Sequence, residues 1–262
     1  MERRTSVKRT IVSVVAIVAV VYAAVCGGLY VGQRSLLYFP TPESHATGAN
    51  ALRVETADAT LKVWHIAHGS DHAILYFGGN AEDVAWNIEP FTALFPESDV
   101  YLVNYRGYGG SSGSPSEAAL LQDAEAVYDA IRTNHSAVSV IGRSLGSGVA
   151  VHVASVRDIR RIVLVTPYDS VMNVAKEQYA IFPVALMLKD TFDSYSKADA
   201  IDVPTLVLLA ERDRVIPHRH SARLVTALSA ERVRVQTIQG TNHDSIADSG
   251  AYRQALRDFL RI

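Results

Sequence analysis

The stretch Val138-Ser139-Val140-Ile141-Gly142-Arg143-Ser144-Leu145-Gly146-Ser147-Gly148 decides how the rest of this chain is read. Residues 138–141 are a short β-branched run of the kind found in strands buried on both faces. Residues 145–155 are small and apolar and read as a helix. Between them stands Gly-x-Ser-x-Gly, which holds a serine on a sharp strand-to-helix turn. Glycines are needed there because the neighbouring backbone leaves no room for side chains. The turn also aims a helix N-terminus at the reacting oxygen, which favours developing negative charge. Gly148 extends the small-residue run and eases helix-against-sheet packing. Such a five-residue pattern often arises by chance; its place between a strand and a helix makes Ser144 a candidate nucleophile.

Working outward, short β-branched runs recur at 73–77, 100–104, 162–166, 205–210 and 233–238. Helix-period segments alternate with them at 82–94, 116–132 (Ser116 as cap), 218–228 and 251–260. This alternation predicts an α/β domain with a mostly parallel sheet covered on both faces. An alternating pair, 52–56 and 61–66 around Asp58, predicts a starting hairpin. Residues 167–201 are too long for a simple crossover and predict a small helical cap at about 168–201. Its Phe182, Leu186, Met187 and Leu188 suggest an apolar acyl pocket, or else plain core.

Open α/β sheets place ligands at the carboxyl ends of their strands. A base and an acid that follow the serine in the chain are therefore sought there. His152 lies two turns into the helix after Ser144 and points away. His218 and His220, after Pro217, read as a solvated surface pair. His243, in the loop Gly240-Thr241-Asn242-His243-Asp244 after the last run, is the candidate base. Asp213, just beyond 205–210, is the candidate acid, with Glu211 a weaker choice and Asp169 another. Two oxyanion donors are expected from backbone: the N–H of Leu145 and that of Asn80 in Gly78-Gly79-Asn80. Asn80 could equally cap the next helix. The loop lacks the lysine and glycine spacing of a phosphate-binding loop. Arg143 and Arg106 fall near the expected mouth as candidate substrate contacts or structural ion pairs.

Composition narrows the class. The chain has 262 residues, 48% hydrophobic, with 25 Lys plus Arg against 27 Asp plus Glu, a balance that argues against a nucleic-acid partner. One cysteine excludes an intramolecular disulfide framework and a Cys-rich zinc module. The charge is unevenly spread. Residues 1–34 hold five basic side chains and one acid, so residues 35–262 carry a net charge of -6. From Thr10 to Gln33 no residue is charged, and this all-round apolar run is long enough to span a bilayer. The expected organisation is a basic segment 1–9, a transmembrane anchor 10–33, a linker 34–50 and a hydrolytic domain 51–262. Arg3, Arg4, Lys8 and Arg9 predict a cytoplasmic N-terminus and an extracytoplasmic domain. A cleaved signal peptide ending near Ala24 is the rival reading. Lipidation at Cys26 is disfavoured by Val25.

With these residues in place, the chain resembles the α/β-hydrolase superfamily over nearly all of 50–262. Tyr76-Phe77-Gly78-Gly79-Asn80-Ala81, Tyr105-Arg106-Gly107-Tyr108-Gly109-Gly110-Ser111-Ser112-Gly113 and Gly142-Arg143-Ser144-Leu145-Gly146 resemble a branch of membrane-anchored α/β-hydrolase-domain proteins and bacterial relatives. Segment 34–40 is similar too. One departure is Gly78, where that branch commonly has histidine. The resemblance implies the α/β-hydrolase fold, with Ser144, Asp213 and His243 as nucleophile, acid and base. The expected activity is that of a serine esterase, thioesterase or lipase on lipid-like or acylated substrates, with no metal or organic cofactor. A serine peptidase is the main rival, and a non-catalytic binding module the reading from another class. Oligomeric state is not legible.

Overall fold

The computed structural model describes the backbone of residues 2–261 and the side chains of residues 6–261. The side chains of Arg3 and Arg4 lie outside the described residues. Eight strands form one sheet: β1 (Asn50–Glu55), β2 (Thr60–Ile66), β3 (His72–Phe77), β4 (Asp99–Val103), β5 (Ala137–Arg143), β6 (Ile162–Val165), β7 (Thr205–Ala210) and β8 (Val233–Ile238). Their order is β1-β2-β4-β3-β5-β6-β7-β8. β1 and β2 form the expected antiparallel hairpin, β2 pairs antiparallel with β4, and every other pairing is parallel. The sequence direction reverses between β3 and β5, where an open sheet leaves a crevice beyond its strand ends.

Two apolar layers sandwich the sheet. Alternation within β3 sends Ala73, Leu75 and Phe77 to one layer, and Ile74 and Tyr76 to the other. The first layer is closed by α3 (Glu117–Arg132), α4 (Leu145–Val156) and α7 (His218–Ala227). The second is closed by α2 (Ile88–Leu94) and α8 (Gly250–Leu260). Ser116 caps α3 as expected, its side chain accepting the Ala119 N–H.

Three expectations need correction. The segment 82–94 is not one helix: a 3-10 turn over Val84–Asn87 precedes α2. The cause is Pro90, which tolerates a first helical turn but would clash in the interior of a helix begun at Glu82. β8 is not buried on both faces; it is the sheet edge, and Arg234, Val235, Gln236 and Thr237 are exposed. The apolar residues of 182–188 do not line the cavity at Ser144, and none of them is buried in the core.

At the other end, α1 (Glu2–Leu37) runs past the charge-free stretch because nothing stops a helix before Pro40. Within Ser6–Leu37 an 18-residue window reaches a mean hydropathy of 2.5, and none of that window is buried. This one helix is long and apolar enough to cross a membrane; a signal sequence has the same character. Segment 168–201 carries α5 (Val171–Gln178), α6 (Val184–Met187) and a 3-10 turn (Tyr195–Ala200).

Candidate active site

Ser144 sits at the end of β5 with φ 49° and ψ -116°, the left-handed region that a non-glycine residue enters only when its surroundings impose it. Two glycines make the turn feasible. A Cβ at Gly146 would lie 2.1 Å from the Phe77 carbonyl oxygen, and one at Gly142 would lie 2.4 Å from the Gly146 carbonyl oxygen. The Ser144 N–H donates to the Val165 carbonyl at 2.9 Å, tying the turn to β6.

His243 arrives from the loop after β8 and is 8% exposed. Its Nε2 lies 2.8 Å from Ser144 Oγ and its Nδ1 lies 2.8 Å from Asp213 Oδ2. With a carboxylate at Nδ1, that nitrogen carries the proton and Nε2 is free to accept the serine proton. Asp213, just after β7, has a side chain only 3% exposed. Its other oxygen accepts the Val215 and Ile216 N–H groups at 2.9 and 2.8 Å. Burial pushes its pKa up, but the His243 bond and these two amides outweigh burial and leave it below the ordinary carboxylate value. The alternatives fall elsewhere: Glu211 accepts the Gly240 N–H, and Asp169 lies with His220.

The loop after β3 faces Ser144 from the other side. The Gly79 N–H is consumed by Glu82 Oε2 at 2.6 Å. Among the described residues, the Asn80 and Leu145 N–H groups make no hydrogen bond to protein. The Asn80 side chain does not cap a helix. It donates to the Leu37 carbonyl at 2.6 Å and accepts from the Phe39 N–H at 3.0 Å and the Tyr108 hydroxyl at 2.8 Å. Burial pushes the Tyr108 phenol up to about 12, so it keeps the proton it donates. Tyr105 adds a bond to the Gly78 carbonyl at 2.8 Å. The tail of α1 and the Tyr105–Tyr108 turn thus hold this loop by its side chain and its carbonyl.

The two arginines separate. Arg143 lines the cavity, but its guanidinium is engaged: Glu82 Oε2 lies at 3.1 Å, and the His243 and Asp244 carbonyls at 3.3 and 3.2 Å. Burial disfavours its charge most strongly, but Glu82 together with Tyr76 and Tyr252 outweighs burial and holds it protonated. It is a strut between the Gly79 loop and the His243 loop. Arg106 is absent from the cavity wall. It makes a bidentate pair with Asp123 on α3, both bonds 2.7 Å, and a contact with Asp58.

Of the expected solvated pair, His218 is exposed but His220 is not. His220 is 7% exposed, its Nδ1 2.8 Å from Asp169 Oδ1 and its Nε2 3.2 Å from Glu177 Oε2. His218 Nε2 lies 2.7 Å from the Ala210 carbonyl. His152 pairs with Glu125 on α3, away from Ser144. Sequence reasoning missed Glu82 altogether. It also accepts the Tyr76 hydroxyl and the Asn87 amide, but a lone acid at the start of a helix-like segment gives no signal.

A cavity of about 530 Å³ opens at Ser144. Its wall is polar around Asn80, Ser144 and His243, charged at Arg143, Asp248 and Arg253 among others, and apolar along Trp86, Pro90, Phe91 and Leu94. A smaller one, about 370 Å³, lies on the Asp213 side of His243 between Arg212 and Arg214.

A hydroxyl on a left-handed turn, an imidazole, a carboxylate and unpaired amides at a sheet crevice define the hydrolase class of α/β protein. The comparisons agree. A model of the alpha/beta hydrolase family matches residues 66–190, and one described as serine aminopeptidase, S33, matches 168–250. An uncharacterized protein of Mycobacterium tuberculosis is 33% identical over 94% of both chains. Alpha/beta hydrolase domain-containing protein 17C of Xenopus tropicalis is 27% identical over 73% of this chain and 62% of that protein. The structure of the Pyrococcus furiosus esterase Pf2001 superposes with a TM-score of 0.72 at 17% identity, covering 86% of this chain and 98% of that one, a likeness of fold. The chain belongs to the α/β-hydrolase family.

Proposed function

We propose that this hydrolase is a membrane-anchored serine enzyme that cleaves carboxylic ester or thioester bonds of lipid-like or acylated substrates. The observation that carries the reading is His243 bridging Ser144 Oγ and Asp213 Oδ2 at 2.8 Å on each side, beside a cavity. In this mechanism Ser144 Oγ attacks the acyl carbon while His243 Nε2 takes its proton. The amides of Asn80 and Leu145 hold the oxyanion as it forms. His243 then gives its proton to the departing alcohol or thiol, leaving Ser144 acylated. Water, activated by the same imidazole, attacks the acyl-enzyme and releases the acid. Asp213 keeps the imidazole in the right tautomer throughout. The wall of Trp86, Pro90, Phe91 and Leu94 suits an apolar acyl chain.

The serine aminopeptidase match over 168–250 favours a second reading, peptide-bond cleavage by the same groups. A fluorophosphonate probe tests the shared chemistry: labelling is expected for the native chain and absent in Ser144→Ala. Equal labelling of both would end the proposal. A panel of p-nitrophenyl esters, acyl thioesters, lysophospholipids and aminoacyl anilides then separates the readings, with the esters or thioesters expected to turn over fastest.

The anchor reading rests on α1, whose apolar span is unburied and whose end is built into the domain through Leu37, Phe39 and Asn80. With Lys8 and Arg9 on the cytoplasmic side, the catalytic domain lies outside the cytoplasm. A C-terminal reporter active only in the cytoplasm would reverse that orientation.

A further inference from the structure

The segment Tyr179-Ala180-Ile181-Phe182-Pro183-Val184-Ala185-Leu186-Met187-Leu188 holds no charged residue. Ordinary core would bury it, and a lid over Ser144 would turn it to the cavity. It does neither: Ile181 is 76% exposed and Leu186 85%, and none of the ten residues lines the cavity. An apolar run this exposed marks an interaction surface.

What covers it follows from what it is tied to. The segment runs along α1. Tyr22 donates its hydroxyl to the Ile181 carbonyl at 2.7 Å and stacks on Phe182 with ring centroids 6.1 Å apart. Gln33 donates to the Met187 carbonyl at 3.0 Å and accepts the Lys189 N–H at 2.7 Å. Arg34 pairs with Asp190, whose side chain is 5% exposed, at 2.9 Å. Between Tyr22 and Arg34 the helix rises about 18 Å. Tyr22 lies well inside the charge-free stretch of α1, so with α1 across a bilayer Ile181 and Phe182 would sit at the depth of hydrocarbon.

The backbone is also partly prepared for such a place, where an unpaired polar group is costly. The N–H groups of Tyr179, Phe182, Val184, Leu186 and Leu188 bond to carbonyls within the segment or to Ala175, which leaves those of Ala180, Ile181 and Ala185 without a backbone partner among the described residues. Lys176 and Lys189 bracket the run, and Lys189 Nζ lies 4.2 Å from the Tyr30 ring centroid, as a cation at the interface would.

We propose that residues 179–188 are a second membrane element, seated among the acyl chains of the leaflet from which α1 emerges. This rests on α1 being a retained anchor. It makes the cap a foot rather than a lid. The foot and the Leu37–Asn80 link fix the Ser144 cavity at a set height over that leaflet, where substrates carrying an acyl chain are concentrated.

The test uses the full chain with Cys26→Ser, in phosphatidylcholine–phosphatidylglycerol nanodiscs holding one copy each and open to water on both faces. Single cysteines at Leu186→Cys, Ile181→Cys, Val18→Cys and Val235→Cys carry an environment-sensitive fluorophore, and iodide quenching is measured. Shielding at 186 and 181 comparable to that at 18, with quenching at 235 at least about fivefold stronger, supports the proposal. Quenching at 186 and 181 equal to that at 235, with 18 still shielded, overturns it and leaves the anchor standing. Quenching at 18 as well removes the anchor reading and this one together. Shielding at 186 and 181 seen only in discs loaded with two copies assigns the surface to self-association and overturns the membrane seat.

Discussion

His243 with Asp213 and His220 with Asp169 are built alike. In each, Nδ1 lies 2.8 Å from a carboxylate oxygen, each imidazole is under a tenth exposed, and each carboxylate follows a parallel strand. The difference is on the far side of the ring. His243 Nε2 meets the hydroxyl of Ser144 and opens on a cavity, whereas His220 Nε2 meets Glu177 Oε2 at 3.2 Å. Asp169 is in addition held by the Asn173 amide at 2.6 Å and by Arg223 at 3.4 Å. An imidazole–carboxylate pair therefore has no chemistry of its own. In the proposed mechanism the first pair has a proton to take and space for an acyl group; the second, with Asp169 fully buried, links α5 and α7 to the end of β6.

The comparison breaks first on turnover. His243→Ala is expected to lower kcat on an ester by a factor on the order of 10⁴ to 10⁶, the range found when a general base is removed from a serine hydrolase. His220→Ala, measured on the same substrate, is expected to leave kcat in its native order of magnitude. If His220→Ala were as damaging as His243→Ala, the structural assignment of the second pair would be wrong.

Stability should rank the two the other way. Asp169 is fully buried, and His220→Ala strips one of its oxygens of its partner. A buried acceptor left unpaired costs about 1–3 kcal/mol. His243→Ala leaves Asp213 two amide donors and a neighbouring cavity through which water can replace the imidazole. Urea unfolding midpoints in detergent are expected to fall further for His220→Ala than for His243→Ala; the reverse order would mean that the catalytic loop carries the stability.

Much of the first pair was legible in the sequence and little of the second, for a physical reason. Ser144, Asp213 and His243 each follow their own strand, and strand order is written in local β-branched runs. His220 stands after Pro217 in a stretch that looks solvated. Its burial is decided by Asp169, 51 residues earlier, and by Glu177, and no local pattern records that meeting. The same limit explains the Asn80 side chain, which answers to Leu37, Phe39 and Tyr108 rather than to its neighbours. It also explains residues 182–188: apolarity was visible, but whether it faces core, pocket or α1 depends on where α1 lies. Pro90, by contrast, is a local signal that the periodicity overrode.

The smallest effect concerns acid, and it sharpens the comparison by adding a pair with no place in catalysis. Asp99, on β4, accepts the His68 and Ser70 N–H groups at 2.8 and 3.0 Å and lies 2.8 Å from His65 Nε2. Like Asp213, it loses some acidity to burial and regains more from its amide and imidazole partners, ending below the ordinary carboxylate value. A carboxylate with a lowered folded pKa contributes stability that is present above its unfolded value, about 3.9, and is lost as pH falls through the folded value. Asp213→Asn and Asp99→Asn remove that contribution. The stability gap between each variant and the native chain should therefore be widest near neutrality and narrow as pH falls below about 4. The two variants should behave alike in this respect, while only Asp213→Asn lowers kcat. Urea midpoints at pH 7 and pH 3.5 measure it, and a gap that widens in acid for either variant would reverse the sign assigned to its carboxylate.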